Sequence, residues 1–143
     1  MEKYFELGKE AARYAPDFVQ EMSERIFSLY RNALEDDSEM RYLPLDRSQQ
    51  NCLGSWLNQG YFAYLAFDNS FLAGFALLSV EKPSPRITII ESWGPLLRPQ
   101  YQHRDFAKNL ASMIVEKCQR YSGDFFPDIK PHYFSHLRLE MFK

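Results

Sequence analysis

The residues that are best suited to binding or catalysis lie between a predicted strand and a predicted helix, from Leu97 to Ala107. This stretch has the sequence LRPQYQHRDFA and leads into a long segment of helical period. The first backbone N–H groups of a helix have no partner within the helix, and they lie at the positive end of its dipole. A short connection from strand to helix can therefore present these groups to a phosphate or a pyrophosphate.

The elements on either side of this stretch are a strand and a long helix. Apolar side chains of the helix recur at Phe106, Leu110, Met113, Ile114 and Cys118. This period places them on one face of a helix that begins near Asp105. The preceding strand is predicted at 86–93 from its β-branched residues, and Gly94 and Pro95 end it or bulge it.

The rest of the sheet is predicted as an antiparallel meander with a closing strand. Segments 61–67 and 71–80 are rich in aromatic and apolar residues, and turn-forming residues 68–70 connect them. A closing strand at 137–142 would rejoin the sheet after the long helix and lie parallel to the strand before that helix. The sheet is therefore expected to be mixed.

Two helices are predicted before the meander. One covers 16–34, where apolar residues recur with a helical period, and a shorter one follows the capping residue Asp46. The first 15 residues indicate only a loose helix or a flexible arm, because Gly8 interrupts them and they lack a clean apolar stripe. The predicted fold class is α+β, in a single domain that covers 1–143.

The strand-to-helix stretch resembles the acyl-CoA signature of the GCN5-related N-acetyltransferase (GNAT) family, V-x-P-x-x-[QR]-x-x-G-x-[GA]. Four of the five defined positions fit, with Asp105 in place of the first glycine. The resemblance covers Tyr61 to Tyr121 and implies a GNAT-like mixed sheet with a shortened C-terminal part. It also implies acetyl-CoA as co-substrate. The cofactor-binding residues that it implies are Leu96, Leu97, Gln102, His103, Arg104, Asp105, Phe106 and Ala107.

Asp105 is the departure with the largest physical consequence. A carboxylate in a phosphate-binding turn repels pyrophosphate, and its side chain can itself cap the helix donors. His103 and Arg104 could offset this charge. The stretch is also compatible with a purely structural role, since any α+β domain can join a strand to a helix through polar residues.

Glu91 is the catalytic residue that the resemblance implies. Acetyl transfer to an amine needs a neutral nucleophile, an acceptor for its proton and stabilisation of the thioester oxygen. By resemblance, Glu91 relays the proton through water, and the main chain from Gly94 to Leu97 contacts the oxyanion and the pantetheine. Pro95 removes one N–H group from that set. Alternatively, Glu91 is a strand-face carboxylate in solvent or paired with Arg86.

Two functions from different classes follow. The first is an acetyl-CoA-dependent N-acetyltransferase that transfers an acetyl group to a primary amine of a small molecule or a protein. The alternative is a catalytically inactive GNAT-like interaction or regulatory domain, which Asp105, Pro95 and the early end of the chain favour. A third possibility is that the chain is part of a longer protein, or that a second copy completes the sheet edge in a homodimer.

Composition excludes several other classes. The chain has 143 residues, 45% of them hydrophobic, a net charge of -2 and a pI near 5.9, so no basic field attracts nucleic acid or an anionic membrane. The N-terminus has no apolar signal region, so the cytoplasm is the expected compartment. Two distant cysteines and the irregular pair His132 and His136 predict no metal site.

Overall fold

The computed structural model describes residues 2–36, 52–101, 105–122 and 135–142. The fold class is α+β, as predicted. In chain order the elements are β1 (Glu2–Leu7), α1 (Lys9–Tyr14), α2 (Pro16–Asp36), α3 (Cys52–Asn58), β2 (Phe62–Asp68), β3 (Phe71–Ser84), β4 (Ile87–Leu97), α4 (Phe106–Ser122) and β5 (Ser135–Phe142). No helix in these ranges is long and apolar enough to cross a membrane.

The strands form one sheet in the order β1-β2-β3-β4-β5, and every neighbouring pair among them is antiparallel. The prediction of a mixed sheet with a parallel closing strand is therefore wrong. β5 begins opposite Gly94 and ends opposite Ile87, so it runs against β4. The parallel rule assumes a short return from the helix. The segment 123–134 between α4 and β5 can span about 40 Å, which is enough to recross the sheet.

The N-terminal region also differs from the prediction of two helices. A strand, β1, and three helices precede β2 among the described residues, and α1 lies within the segment for which a loose helix was one of the two expectations. The capping residue Asp46 lies outside the described residues. β1 pairs with β2 from Glu2 opposite Asp68 to Leu7 opposite Ala63. Its sequence carries charged and aromatic residues on both faces, since it lies at the edge of the sheet and is mostly exposed. The sequence of β1 therefore shows no alternation of apolar and polar residues, although the segment is a strand.

Two cores lie on opposite faces of the sheet. The face covered by α1, α2 and α3 buries Val19, Met22, Ile26, Leu29, Trp56, Phe75 and Trp93, among others. The other face packs beneath α4, whose Phe106, Leu110, Ile114 and Cys118 are fully buried. The predicted helix at 16–34 is confirmed with two further residues, and so is the long helix after Asp105.

Ser23 joins two of the helices on the first face. Its hydroxyl donates to the Val19 carbonyl at 2.8 Å and accepts from the Leu53 N–H group at 3.1 Å. Leu53 lies in the first turn of α3, where backbone N–H groups have no partner within the helix. Ser23 of α2 therefore caps α3 from a buried position that no local sequence pattern indicates.

We expect Ser23→Ala to lower the free energy of unfolding by about 1–3 kcal/mol, because the buried Leu53 N–H group loses its acceptor. Urea denaturation monitored by circular dichroism measures this change. Ser112→Ala is the matched control, since the Ser112 hydroxyl makes the same bond to the carbonyl four residues earlier but is exposed. An equal loss in the two variants would contradict the capping role.

Candidate functional site

The junction between β4 and α4 is anchored to β3 by Arg98. The Arg98 N–H group donates to the Ala73 carbonyl at 2.9 Å, and its Nε donates to the Leu72 carbonyl at 2.8 Å. A single 3-10 turn, Pro99–Tyr101, follows, and the Tyr101 ring packs edge-on against Phe106 at 5.2 Å between centroids. Arg98 was not among the predicted site residues, although it lies within the predicted stretch.

A bulge interrupts β4 just before this junction. Trp93 pairs with Leu77 and Leu96 pairs with Phe75, so two residues of β4, Gly94 and Pro95, lie opposite a single residue of β3. Gly94 has a φ of 102°, a backbone angle that residues with a side chain rarely adopt. The predicted bulge at Gly94 and Pro95 is thus confirmed, and β4 continues beyond it rather than ending there.

The two residues after the bulge, Leu96 and Leu97, form a segment of strand edge that no described strand covers on the β5 side. The pairing of β5 with β4 stops at Gly94, whereas β4 continues to Leu97. Since the Arg98 N–H group points to β3, alternation directs the Leu97 N–H group to the opposite side. On that side of β4, away from β3, no strand within the described ranges pairs with Leu96 or Leu97. An extended ligand with amide groups could pair with this edge.

The predicted cofactor-binding residues near this edge contribute main chain rather than side chain. Leu96 and Leu97 point to opposite cores and are 5% and 8% exposed, and Phe106 and Ala107 are fully buried. The N–H and carbonyl groups of Leu96 and Leu97 could contact a ligand without unpacking a core, whereas Phe106 and Ala107 have no exposed surface in main chain or side chain. Gln102, His103 and Arg104 lie outside the described residues.

Asp105 caps α4. Its carbonyl accepts the Asn109 N–H group at 2.9 Å, so it occupies the position just before the first turn, and its side chain is exposed. A carboxylate here interacts favourably with the positive end of the helix dipole. It also adds a negative charge where the predicted phosphate site lies.

Tyr4 of β1 reaches the same end of α4. Its hydroxyl accepts a hydrogen bond from Asn109 Nδ2 at 2.8 Å and donates to a Glu2 carboxylate oxygen at 3.2 Å. Burial raises the pKa of the Tyr4 phenol, and the carboxylates of Glu2 and Asp105 raise it further, against the hydrogen bond from Asn109. Sequence reasoning missed Tyr4, because β1 has no apolar period that would mark it as a strand.

Glu91 lies on the other face of the sheet, in the middle of β4. It is half-buried, it alternates with Ile90 beneath α4, and it shares its face with Trp93. Ser79 of β3 and Arg138 of β5 are its partners in the strand register. Glu91 is thus a strand-face carboxylate beside a buried indole rather than a fully solvated group.

Tyr61 completes the surroundings of Glu91. Its ring packs edge-on against Trp93 at 5.4 Å between centroids. Burial raises the pKa of the Tyr61 phenol, and the negative charges of Glu91 and Glu81 raise it further. Two carboxylates and a phenol that stays protonated therefore share one partly exposed area, a set that sequence reasoning did not assemble.

The structure does not bring all the predicted site residues together. Asp105 and Glu91 lie on opposite faces of the sheet. Along the chain, the edge of β4 after Gly94 lies between them. The six residues from Glu91 to Leu97 correspond to about 20 Å of extended chain. A ligand held at α4 would need a long, thin arm that follows this edge to come near Glu91.

Other nucleophiles and metal sites receive no support from the described ranges. Cys52 and Cys118 are buried free thiols, as predicted, and burial raises the pKa of each to about 11. Both thiols are therefore protonated at neutral pH and lack the nucleophilic thiolate form. No group of three or more potential metal ligands is present in those ranges.

The comparison with known proteins leaves the family open. No family model matches the chain, and no curated protein matches it significantly. The resemblance of the 97–107 stretch to the GNAT signature therefore stays a prediction.

Proposed function

We propose that this chain is an acetyl-CoA-dependent N-acetyltransferase domain that acts on a primary amine of a small molecule or a protein. The observation that carries the proposal is the bulge at Gly94, after which no described strand pairs with β4 on the β5 side, and the junction that begins at Arg98 leads to the N-terminus of a 17-residue helix. This arrangement suits a ligand with a pyrophosphate at one end and a chain of amides at the other.

Each part of the co-substrate has a matching part of the chain in this proposal. The start of α4, where Asp105 and Lys108 are exposed, holds the pyrophosphate, and the outward N–H group of Leu97 pairs with an amide of the pantetheine arm. Gln102, His103 and Arg104 belong to the same loop by resemblance. The side chains of Leu96, Leu97, Phe106 and Ala107 only fix the course of the main chain.

The chemistry assigned to Glu91 is removal of a proton from the amine. The neutral amine attacks the thioester carbonyl carbon, the carbon–sulfur bond breaks, and the CoA thiolate leaves and takes a proton from water. The Glu91 carboxylate accepts the amine proton directly or through a water molecule. Tyr61, which packs against Trp93 on the same face, forms with Glu91 a partly buried surface for a protonated amine before it loses its proton.

One observation favours the second candidate, an inactive GNAT-like interaction or regulatory domain. The sheet is antiparallel throughout its described strands, whereas the resemblance implies a mixed sheet. The exposed Asp105 carboxylate at the start of α4 points in the same direction, because it opposes phosphate binding. In this alternative the open edge of β4 pairs with a partner protein rather than with a co-substrate.

Thermal unfolding with excess CoA or acetyl-CoA separates the two candidates. A ligand that binds only the native state raises the unfolding temperature, so the enzyme proposal expects a rise with both compounds. A screen of primary amines for release of free CoA from acetyl-CoA then follows. The absence of any shift at millimolar ligand would favour the interaction domain.

Asp105→Gly is expected to strengthen CoA binding, because it removes a negative charge beside the pyrophosphate. Asp105→Asn isolates the charge, since it keeps a side chain that can cap the helix. We expect about a threefold to tenfold gain in affinity for either variant, measured by calorimetry. Asp17→Asn, an exposed acidic residue in the first turn of α2, is the control. Unchanged or weaker binding would contradict the phosphate site.

A further inference from the structure

Three polar side chains lie side by side on the sheet face that carries Glu91. Ser79 of β3 is the register partner of Glu91 on β4, so the two side chains share this face. Phe62 of β2 pairs with Leu78, and the next pair in the same register places Tyr61 beside Ser79. A phenol, a hydroxyl and a carboxylate thus follow one another across the sheet at intervals of about 4.8 Å.

The ring contact of Tyr61 brings the phenol closer to Glu91 than the strand spacing alone would. Tyr61 directly precedes β2 and Trp93 lies on β4, and these two strands are about 10 Å apart with β3 between them. The ring centroids are only 5.4 Å apart, so the two rings meet above β3. The Tyr61 side chain therefore leans toward β4 over the strand that carries Ser79, which is only 8% exposed.

The charges around these three groups favour a cation. Burial and the negative charges of Glu91 and Glu81 raise the pKa of the Tyr61 phenol, so the phenol stays uncharged at neutral pH. Glu81 of β3 and Glu140 of β5 are both register partners of Ile89 on β4, so they lie on this face, and both are exposed. Two exposed carboxylates therefore flank the half-buried one.

The three polar groups match the hydrogen-bonding capacity of a primary ammonium group. Such a group carries three N–H donors, and the Glu91 carboxylate, the Ser79 hydroxyl and the Tyr61 phenol each provide an acceptor. A carboxylate accepts several hydrogen bonds and a hydroxyl accepts two, so each can bind a ligand beside other partners. Arg138 of β5 is the register partner of Glu91 on its other side, so the ligand is expected on the β3 side.

We propose that Tyr61, Ser79 and Glu91 form a binding site for a primary ammonium group and discriminate against N-methylated amines. The inference rests on the proposed function in one respect, since it takes the bound amine as the acetyl acceptor. A quaternary ammonium carries the same charge but has no N–H donor, so it leaves partly buried acceptors without a hydrogen bond. Tyr61 and Ser79 thus determine which amines bind, whereas Glu91 also accepts the proton.

The test compares two probes of equal charge and chain length, butylamine in its protonated form and butyltrimethylammonium. Each is titrated into the full chain, and NMR shifts of the backbone amides around Ser79 and Glu91 give the dissociation constants. We expect wild type to bind butylammonium about tenfold more tightly than the quaternary probe. Ser79→Ala should reduce this preference to about threefold or less. Tyr61→Phe should do the same, although it keeps the ring that packs against Trp93.

Ser92→Ala is the matched control, because Ser92 is also buried and is next to Glu91 in the sequence but lies on the opposite face of the sheet. A preference that the two site variants lose and Ser92→Ala keeps supports the site. Equal affinity of wild type for the two probes, or shifts confined to other residues, overturns it. Selective binding by a chain that does not bind CoA supports the site and overturns the proposed function. Acetylation of an amine whose KM is the same in wild type and both site variants overturns the site and leaves the proposed function intact.

Discussion

Gly74→Ala is expected to lower the free energy of unfolding by about 3 kcal/mol, close to the upper end for adding one methyl group to a packed core. A Cβ atom at this position would lie 2.6 Å from the Leu96 carbonyl oxygen and would overlap the Leu97 side chain. The carbonyl belongs to the backbone of β4, so it can only retreat if β3 and β4 separate. Urea denaturation measures the loss.

The same substitution should also weaken CoA binding, because the open edge of β4 begins at the point where the strands would separate. Gly8→Ala is the matched control, since a Cβ atom there would lie 3.6 Å from the Phe62 ring, which is an ordinary contact. Its expected cost is below about 1 kcal/mol. A similar loss for the two variants would show that the close approach of β3 and β4 at Gly74 is not a constraint.

The elements that the sequence predicted well are those whose burial has a clear local period. α2 and α4 each bury one face against the sheet, so their apolar residues recur every three or four positions. The hairpin of β2 and β3 has polar turn residues between two apolar runs. In these segments the local pattern and the tertiary contacts agree, so the local pattern was sufficient.

The errors arose where the structure depends on contacts distant in the sequence. β1 is an edge strand with exposed charged residues, and it has no apolar period because each of its faces packs only in part, through Tyr4 on one side and Phe5 and Leu7 on the other. The direction of β5 appears in its antiparallel pairing with β4, a contact between segments that α4 separates in the sequence. Neither feature is encoded by the residues of the strand itself.

The candidate site divides in the same way. The bulge at Gly94 was predictable, because glycine followed by proline interrupts a β-branched run. The contact of Tyr4 with Asn109 joins residues 105 positions apart, and the packing of Tyr61 against Trp93 joins the residue before β2 to β4, which is not a neighbour of β2 in the sheet. Such pairs become visible only once the sheet order is known.

The largest expected effect on function belongs to Glu91→Gln. If Glu91 accepts the proton of the attacking amine, replacement of its carboxylate by the amide of glutamine should slow acetyl transfer by about a hundredfold or more. The affinity for CoA should be unchanged, because Glu91 and the α4 N-terminus lie on opposite faces of the sheet. The measurement is the rate of CoA release from acetyl-CoA with the best amine of the screen, together with calorimetry of CoA binding.

Glu81→Gln is the matched control for this experiment. Glu81 lies on the neighbouring strand, its charge also acts on Tyr61, and its side chain is exposed. Loss of the Glu81 charge should change the rate of acetyl transfer by no more than about twofold, since an exposed charge is screened by salt. Equal rates in Glu81→Gln and Glu91→Gln would mean that the two carboxylates only attract a cationic amine. A slow Glu91→Gln variant that still binds CoA, beside a normal Glu81→Gln variant, would assign proton transfer to Glu91.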